Sequence, residues 1–211
     1  MKADRETKEK LILSAKSEFM EKGYNKASLR KICENAGVTT GALYFFFKDK
    51  SDLFSSIVEE PFKLLCNIIK EHFREDVEML ENPTPYEQQD GDHDELVAAL
   101  IHHIYENRDT FLLLLTKSEG TVYENCTDKL VDIMEQSYLL MAERMLTQLK
   151  DMKISVYMLH WLTHMQIDSF VHMITHENDE NKALKHMQKI MDFIVKSWIE
   201  LTFVPVTEND D

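Results

Sequence analysis

The sequence predicts an all-α chain of about nine helices, on three observations. Apolar residues recur at helical spacing through nearly the whole length. Five glycines and four prolines in 211 residues are too few for sheets joined by tight turns. Capping residues stand where apolar periods begin, and glycines stand where two of them end. With 44% apolar residues the chain is too hydrophobic for disorder, and it is long enough for one large core or two small ones.

Ile12, Ala15 and Phe19 give the first helix its apolar face, and Gly23 stops it. Ser28 caps a short second helix with Leu29, Ile32, Cys33 and Ala36 on one side. Gly37 breaks that helix, Thr39 caps the third, and Leu43, Phe46 and Phe47 face inward. A long fourth helix starts near Lys50 with Ser51 as its cap, and Pro61 inside it predicts a kink. Residues 75–95 hold nine acidic side chains, no basic ones, two prolines and one glycine, the composition of a solvated loop. Helices are expected again at 94–106, 108–117, 122–150, 153–177 and 180–202. The domain plan is thus 1–50 for a helix-turn-helix unit, 51–74 for a connecting helix and 75–95 for the acidic loop. A helical body at 96–204 and a flexible tail at 205–211 complete it.

Several function classes drop out at this level. No stretch reaches the run of about 18 apolar residues that crosses a bilayer. The charged N-terminus leads into no apolar signal core, so a cytoplasmic chain without membrane partners is expected. Cys33, Cys66 and Cys126 are widely spaced and read as reduced core thiols. Asp90-Gly91-Asp92-His93-Asp94-Glu95 is acidic but lacks the spacing of a calcium loop. There is no G-x-S-x-G, no glycine-rich phosphate loop and no HExxH, so neither an enzyme nor a cofactor is expected.

The net charge of −14 is unevenly spread. Residues 1–50 carry 11 Lys/Arg against 7 Asp/Glu, a net of +4, and the remainder carries 13 against 31, a net of −18. A basic head on an acidic body confines any contact with DNA to one end. Residues 28–47 also have the form cap, helix, glycine turn, cap, helix, the spacing of a DNA-reading helix-turn-helix. Packing Leu43, Phe46 and Phe47 inward turns Thr40, Tyr44 and Lys48 outward, a stripe suited to base edges and phosphates. Gly41 removes a side chain where backbone approaches the duplex, and Arg30 reaches a guanine or a phosphate. Helix N-termini behind Ser28, Thr39 and Ser51 offer free N–H groups to phosphates.

The stretch Leu11–Phe54 resembles the TetR-family DNA-binding domain. Leu13-Ser14-Ala15, Lys22-Gly23-Tyr24 and Ala27-Ser28-Leu29-Arg30-Lys31-Ile32 carry the first half of the resemblance. Ala36-Gly37-Val38-Thr39-Thr40-Gly41-Ala42-Leu43-Tyr44 and Phe47-Lys48-Asp49-Lys50-Ser51-Asp52-Leu53 carry the second. The resemblance implies DNA contacts from Ser28, Arg30, Thr39, Thr40, Gly41, Tyr44, Lys48 and Lys50, with Tyr44 and Lys50 on phosphates. Phe46 departs from the histidine or tyrosine that members often carry. The resemblance further implies a homodimer paired through the last two helices, and a body that encloses a small-molecule inducer and releases a palindromic operator.

Within the body, residues 154–174 are apolar on more than one side, as a helix covered from two directions should be. Twelve methionines suit a pocket that reshapes around apolar ligands. Phe111, Leu114, Tyr123, Met134, Tyr138, Met141, Trp161 and Met165 are its candidate walls. His160, His164, Asp168, His172 and His176 follow one another every four residues. Pairs among them have chelate spacing, with His102 and His103 as outside help, which opens a metal or haem sensor as an alternative. The opposing reading is a wet helix face, and no bound metal is expected. A helical adaptor with a vestigial reader is the other alternative.

Overall fold

The computed structural model describes residues 2–81, 92–149 and 151–207. Among them the helices are α1 (Lys2–Lys26), α2 (Leu29–Ala36), α3 (Thr40–Phe46), α4 (Lys50–Glu81), α5 (Asp92–Glu106), α6 (Arg108–Lys117), α7 (Cys126–Leu146), α8 (Val156–His176) and α9 (Glu180–Thr202). Two short strands, β1 (Met152–Ile154) and β2 (Phe203–Pro205), pair antiparallel with Ile154 opposite Phe203.

Two compact units emerge. The first joins the chain up to Leu64 to Asn107–Cys126, so α6 belongs with α1–α3 and not with the body expected at 96–204. Its core is one apolar block: Leu11, Ala15 and Phe19 of α1, Ile32 of α2, Leu43 of α3, Leu53, Phe54 and Val58 of α4, and Leu113 of α6 have no exposed surface. Phe54 meets Phe19 edge-on at 5.2 Å and Tyr24 at 5.4 Å. Each fully buried aromatic of this kind contributes about 1.5–3 kcal/mol. The α6 residues carry no helix-turn-helix signature, so only their packing assigns them to this unit.

The second unit joins Leu65–Glu106 to the chain from Thr127. Here α9 packs against both α5 and α8. Ala142, Leu159, Leu162, Trp198 and Phe203 form one buried cluster, flanked by Tyr138, Met141 and Met145. The strands tie the end of α9 to the start of α8, because Ser155 donates its N–H to Thr202 O at 2.8 Å. Lys153 and Ile154, expected at the start of the 153–177 helix, are strand instead, and β2 begins just past the expected helix end at 202.

Other boundaries also shift. The expected 75–95 loop is helical at 75–81 and 92–95, and 82–91, with Asp90 and Gly91 of the candidate calcium stretch, lies outside the described residues. Ion pairs of Arg74 with Glu71 and Glu78 support the acidic run as helix, and His72 Nε2 lies 3.3 Å from Asp76 Oδ2. Residues 122–125 and 147–149 are not helical, and α4 continues through Pro61. The three cysteines are buried thiols, and desolvation pushes Cys33 and Cys66 up. None of the described helices is long and apolar enough to cross a membrane.

Candidate nucleic-acid interface

The second and third helices are held at both ends by local chemistry. The Ser28 hydroxyl accepts from Lys31 N at 3.4 Å, while Ser28 N donates to the buried Glu18 carboxylate at 3.1 Å. Ser14 Oγ donates to Ile32 O at 2.8 Å and so fastens α1 to α2. At the turn, Gly37 takes φ 68°, and Val38 N then reaches back to Cys33 O at 3.0 Å. Thr39 Oγ1 accepts from Ala42 N at 3.2 Å and starts α3. Leu43 and Phe47 are buried beneath α3, and Phe46 is half-buried.

What faces outward follows from those anchors. Thr40, Gly41 and Tyr44 are exposed on α3, and Ser28 and Arg30 at the start of α2 are exposed as well. A Cβ placed on Gly41 would meet only Thr39 Oγ1, at 3.7 Å, so nothing inside the fold requires glycine there. The missing side chain leaves room for something outside. Phe45, 76% exposed, is the outward residue of α3 that sequence reasoning missed. It lies in a run of three phenylalanines, where identity alone does not separate the inward rings from the outward one.

Three expectations need correction. Lys48 is exposed, but α3 ends at Phe46 and Phe47 is extended, so Lys48 is not the next step of the Thr40–Tyr44 helical stripe. Its N–H donates to Asp52 Oδ2 at 2.8 Å. The fourth helix is capped by Asp49, whose Oδ1 accepts from Asp52 N at 2.9 Å, and not by Ser51. A carboxylate one turn ahead of that donor is the better-placed acceptor. Lys50 does not project its ammonium outward: Nζ donates to Asn25 O at 3.2 Å and Ala27 O at 3.3 Å, and sits 4.6 Å from the Tyr24 ring centre. It ties the start of α4 to the link between α1 and α2.

The family match falls on this region. A model of bacterial regulatory proteins of the tetR family matches residues 11–57. The match runs from within α1 through α2 and α3 into the start of α4. The repressor BepR of Brucella suis is 49% identical over 53 residues, which are 25% of this chain and 25% of that protein. The likeness to such relatives therefore spans about a quarter of their length. Over the whole fold, a transcriptional regulator of Aquifex aeolicus is similar at TM-score 0.60 and 19% identity, covering 89% of this chain and 99% of that one. NalD, the secondary repressor of the MexAB-OprM multidrug efflux pump in Pseudomonas aeruginosa, is similar at TM-score 0.57 and 19% identity, covering 92% and 97%. Beyond residue 57 the likeness to these two regulators is one of fold.

The candidate ligand walls divide between the two units. Phe111, Leu114 and Tyr123 lie in the first unit, where Phe111 and Leu114 are buried and Tyr123 packs on Phe54 and Phe62. Met134, Tyr138 and Met141 lie in the second, buried or half-buried. Trp161 and Met165, also in the second unit, are 52% and 45% exposed on α8. A groove of about 360 Å³ between α4 and α7 is lined by Lys70, Phe73, Arg74, Val77, Glu78, Ser137 and Leu140, none of them expected.

The histidine stripe divides into pairs. His160 Nδ1 lies 2.6 Å from Glu135 of α7, and its ring meets His164 at 4.4 Å. His172 and His176 stack at 4.1 Å, with His176 Nδ1 2.9 Å from His172 O. Asp168 is exposed between them. Among the described residues no three His, Cys, Asp or Glu groups are placed to hold one metal ion. Of the two outside helpers, His102 pairs with Glu180 and Glu106, and His103 is buried.

Proposed function

We propose that the chain is a cytoplasmic, homodimeric transcriptional repressor that grips a palindromic operator through α2 and α3 and releases it when its body binds a small molecule. The observation that carries this is the outward surface of α3. Thr40, Gly41 and Tyr44 are presented by a helix whose cap, turn and buried face are all satisfied from within, in the basic part of the chain. An intact surface of this kind argues against an adaptor with a vestigial reader. BepR and NalD, both described as repressors, support the direction of control.

Dimerisation is supported by apolar side chains left in solvent on the last two helices. Tyr157, Trp161 and Met165 follow every four residues along α8, and Ile190, Phe193 and Leu201 are exposed on α9. Ligand response is supported by buried donors without oxygen acceptors. Trp198 Nε1 has no partner among the described residues, and the Gln166 amide donates to the Met191 sulphur at 3.4 Å, a weak acceptor. Tyr138, which donates to Gln166 Oε1 at 2.6 Å, also lies 5.8 Å from the Trp198 ring. A mostly apolar ligand with a carbonyl would satisfy these donors. To switch the operator it must favour the non-binding state by about 1–3 kcal/mol or more.

Selection from random duplexes tests the proposal. An enriched palindrome, with half-sites about one helical turn apart and affinity falling steeply with salt, is the expected result. Recovery of no enriched duplex would refute it.

A further inference from the structure

We infer that Phe45 is a specificity-determining residue that reads the 5-methyl group of a thymine in each operator half-site. The inference rests on the DNA-binding proposal above and adds what the reader recognises.

Phe45 sits in α3 with 76% of its surface exposed. Its ring meets the neighbouring Phe46 edge to face at 4.9 Å. Leu43 and Phe47, in the same short run, are buried, so the fold had a place for apolar side chains and did not put this one there. Water is a poor environment for such a ring, and removing it from water is favourable. The side chain lies beside Tyr44 and one turn after Gly41, whose open backbone lets a partner come close.

The major groove offers little that an uncharged hydrocarbon ring can recognise. Base edges there are hydrogen-bond donors and acceptors, with one apolar exception, the thymine methyl. Phenylalanine can make no hydrogen bond, so it gains nothing from a guanine, adenine or cytosine edge and gains contact area from a thymine. Thr40 and Tyr44 beside it supply hydroxyls for polar edges and phosphates, which leaves Phe45 the one exposed side chain of α3 with no polar atom.

The test uses the full chain and the duplex it selects. Each thymine is replaced singly by deoxyuracil, which removes the methyl and keeps base pairing and O4. One thymine per half-site should show a loss of about fourfold in affinity, the equivalent of about 0.8 kcal/mol for one buried methyl-sized group, and about sixteenfold when both half-sites are changed. Phe45→Ala should weaken binding to the thymine duplex by at least as much. It should also abolish the difference between thymine and uracil at that position, leaving the cost of uracil elsewhere unchanged. Because the ring is exposed, the variant should melt with the parent. If the wild type is indifferent to every uracil, or if Phe45→Ala still distinguishes thymine from uracil at the sensitive position, the inference is overturned while operator binding stands. If no duplex is selected at all, both fall.

Discussion

Lys50→Met separates a lysine that holds the reader together from one that holds DNA. The lysine is half-buried, and its ammonium donates to two backbone carbonyls at 3.2 and 3.3 Å and faces the Tyr24 ring at 4.6 Å. Hydrogen bonds to a charged group contribute about 1.5–3 kcal/mol each, and these are long, so the lower end applies. An exposed cation–π contact adds about 0.5–1 kcal/mol. Ordering a lysine costs about 1.5–2 kcal/mol of side-chain entropy, and methionine keeps the apolar stem. The net expected loss is about 1.5–2.5 kcal/mol in the first unit, a factor of about 10–70 in its folding equilibrium. Trp161 and Trp198 both belong to the second unit, so tryptophan fluorescence does not report this change. Amide hydrogen exchange across α2 and α3 does, and it should speed up by that factor. The salt dependence of DNA affinity should stay the same, because no phosphate contact is removed. Unchanged exchange together with a salt slope lower by about one would refute the structural role and make Lys50 a phosphate contact.

Asp49→Ala should cost about 1 kcal/mol of stability by removing the α4 cap while Ser51→Ala is near neutral, a contrast that urea unfolding followed by exchange measures. Tyr44→Ala should weaken binding to all duplexes alike, whereas Arg30→Ala and Thr40→Ala should relax discrimination at particular base pairs; specificity profiles of the three variants decide it. Trp161→Glu and Phe193→Glu should shift the chain from dimer to monomer in sedimentation without unfolding it, since both side chains are exposed. His102 is held above the usual histidine range, chiefly by its hydrogen bond to Glu180 and then by the charge of Glu106. Its raised folded-state pKa means the link between α5 and α9 is at full strength below about pH 6.5 and fades as pH rises through the folded value. His102→Gln should flatten that part of the stability profile, and a profile unchanged by the substitution would count against the pair.

The sequence by itself determined the helical class, the three reader helices and most of their outward residues. Each depends on contacts within a few positions: Ser28 with Lys31, Thr39 with Ala42, and Gly37 in the left-handed turn. Such signals are written where they act. What tertiary structure decided involves partners far along the chain. Lys50 turns inward because the Asn25 and Ala27 carbonyls and the Tyr24 ring lie within reach of it, which no local pattern encodes. Trp161 and Met165 share an apolar period with core residues, yet α7 and α9 cover one side of α8 and leave those two exposed. The groove between α4 and α7 brings Phe73 beside Leu140 by helix packing alone. Helix α6 joins the reader because its Leu113 and Leu114 complete a core that α1 and α4 leave open, a fit of shapes that periodicity cannot express.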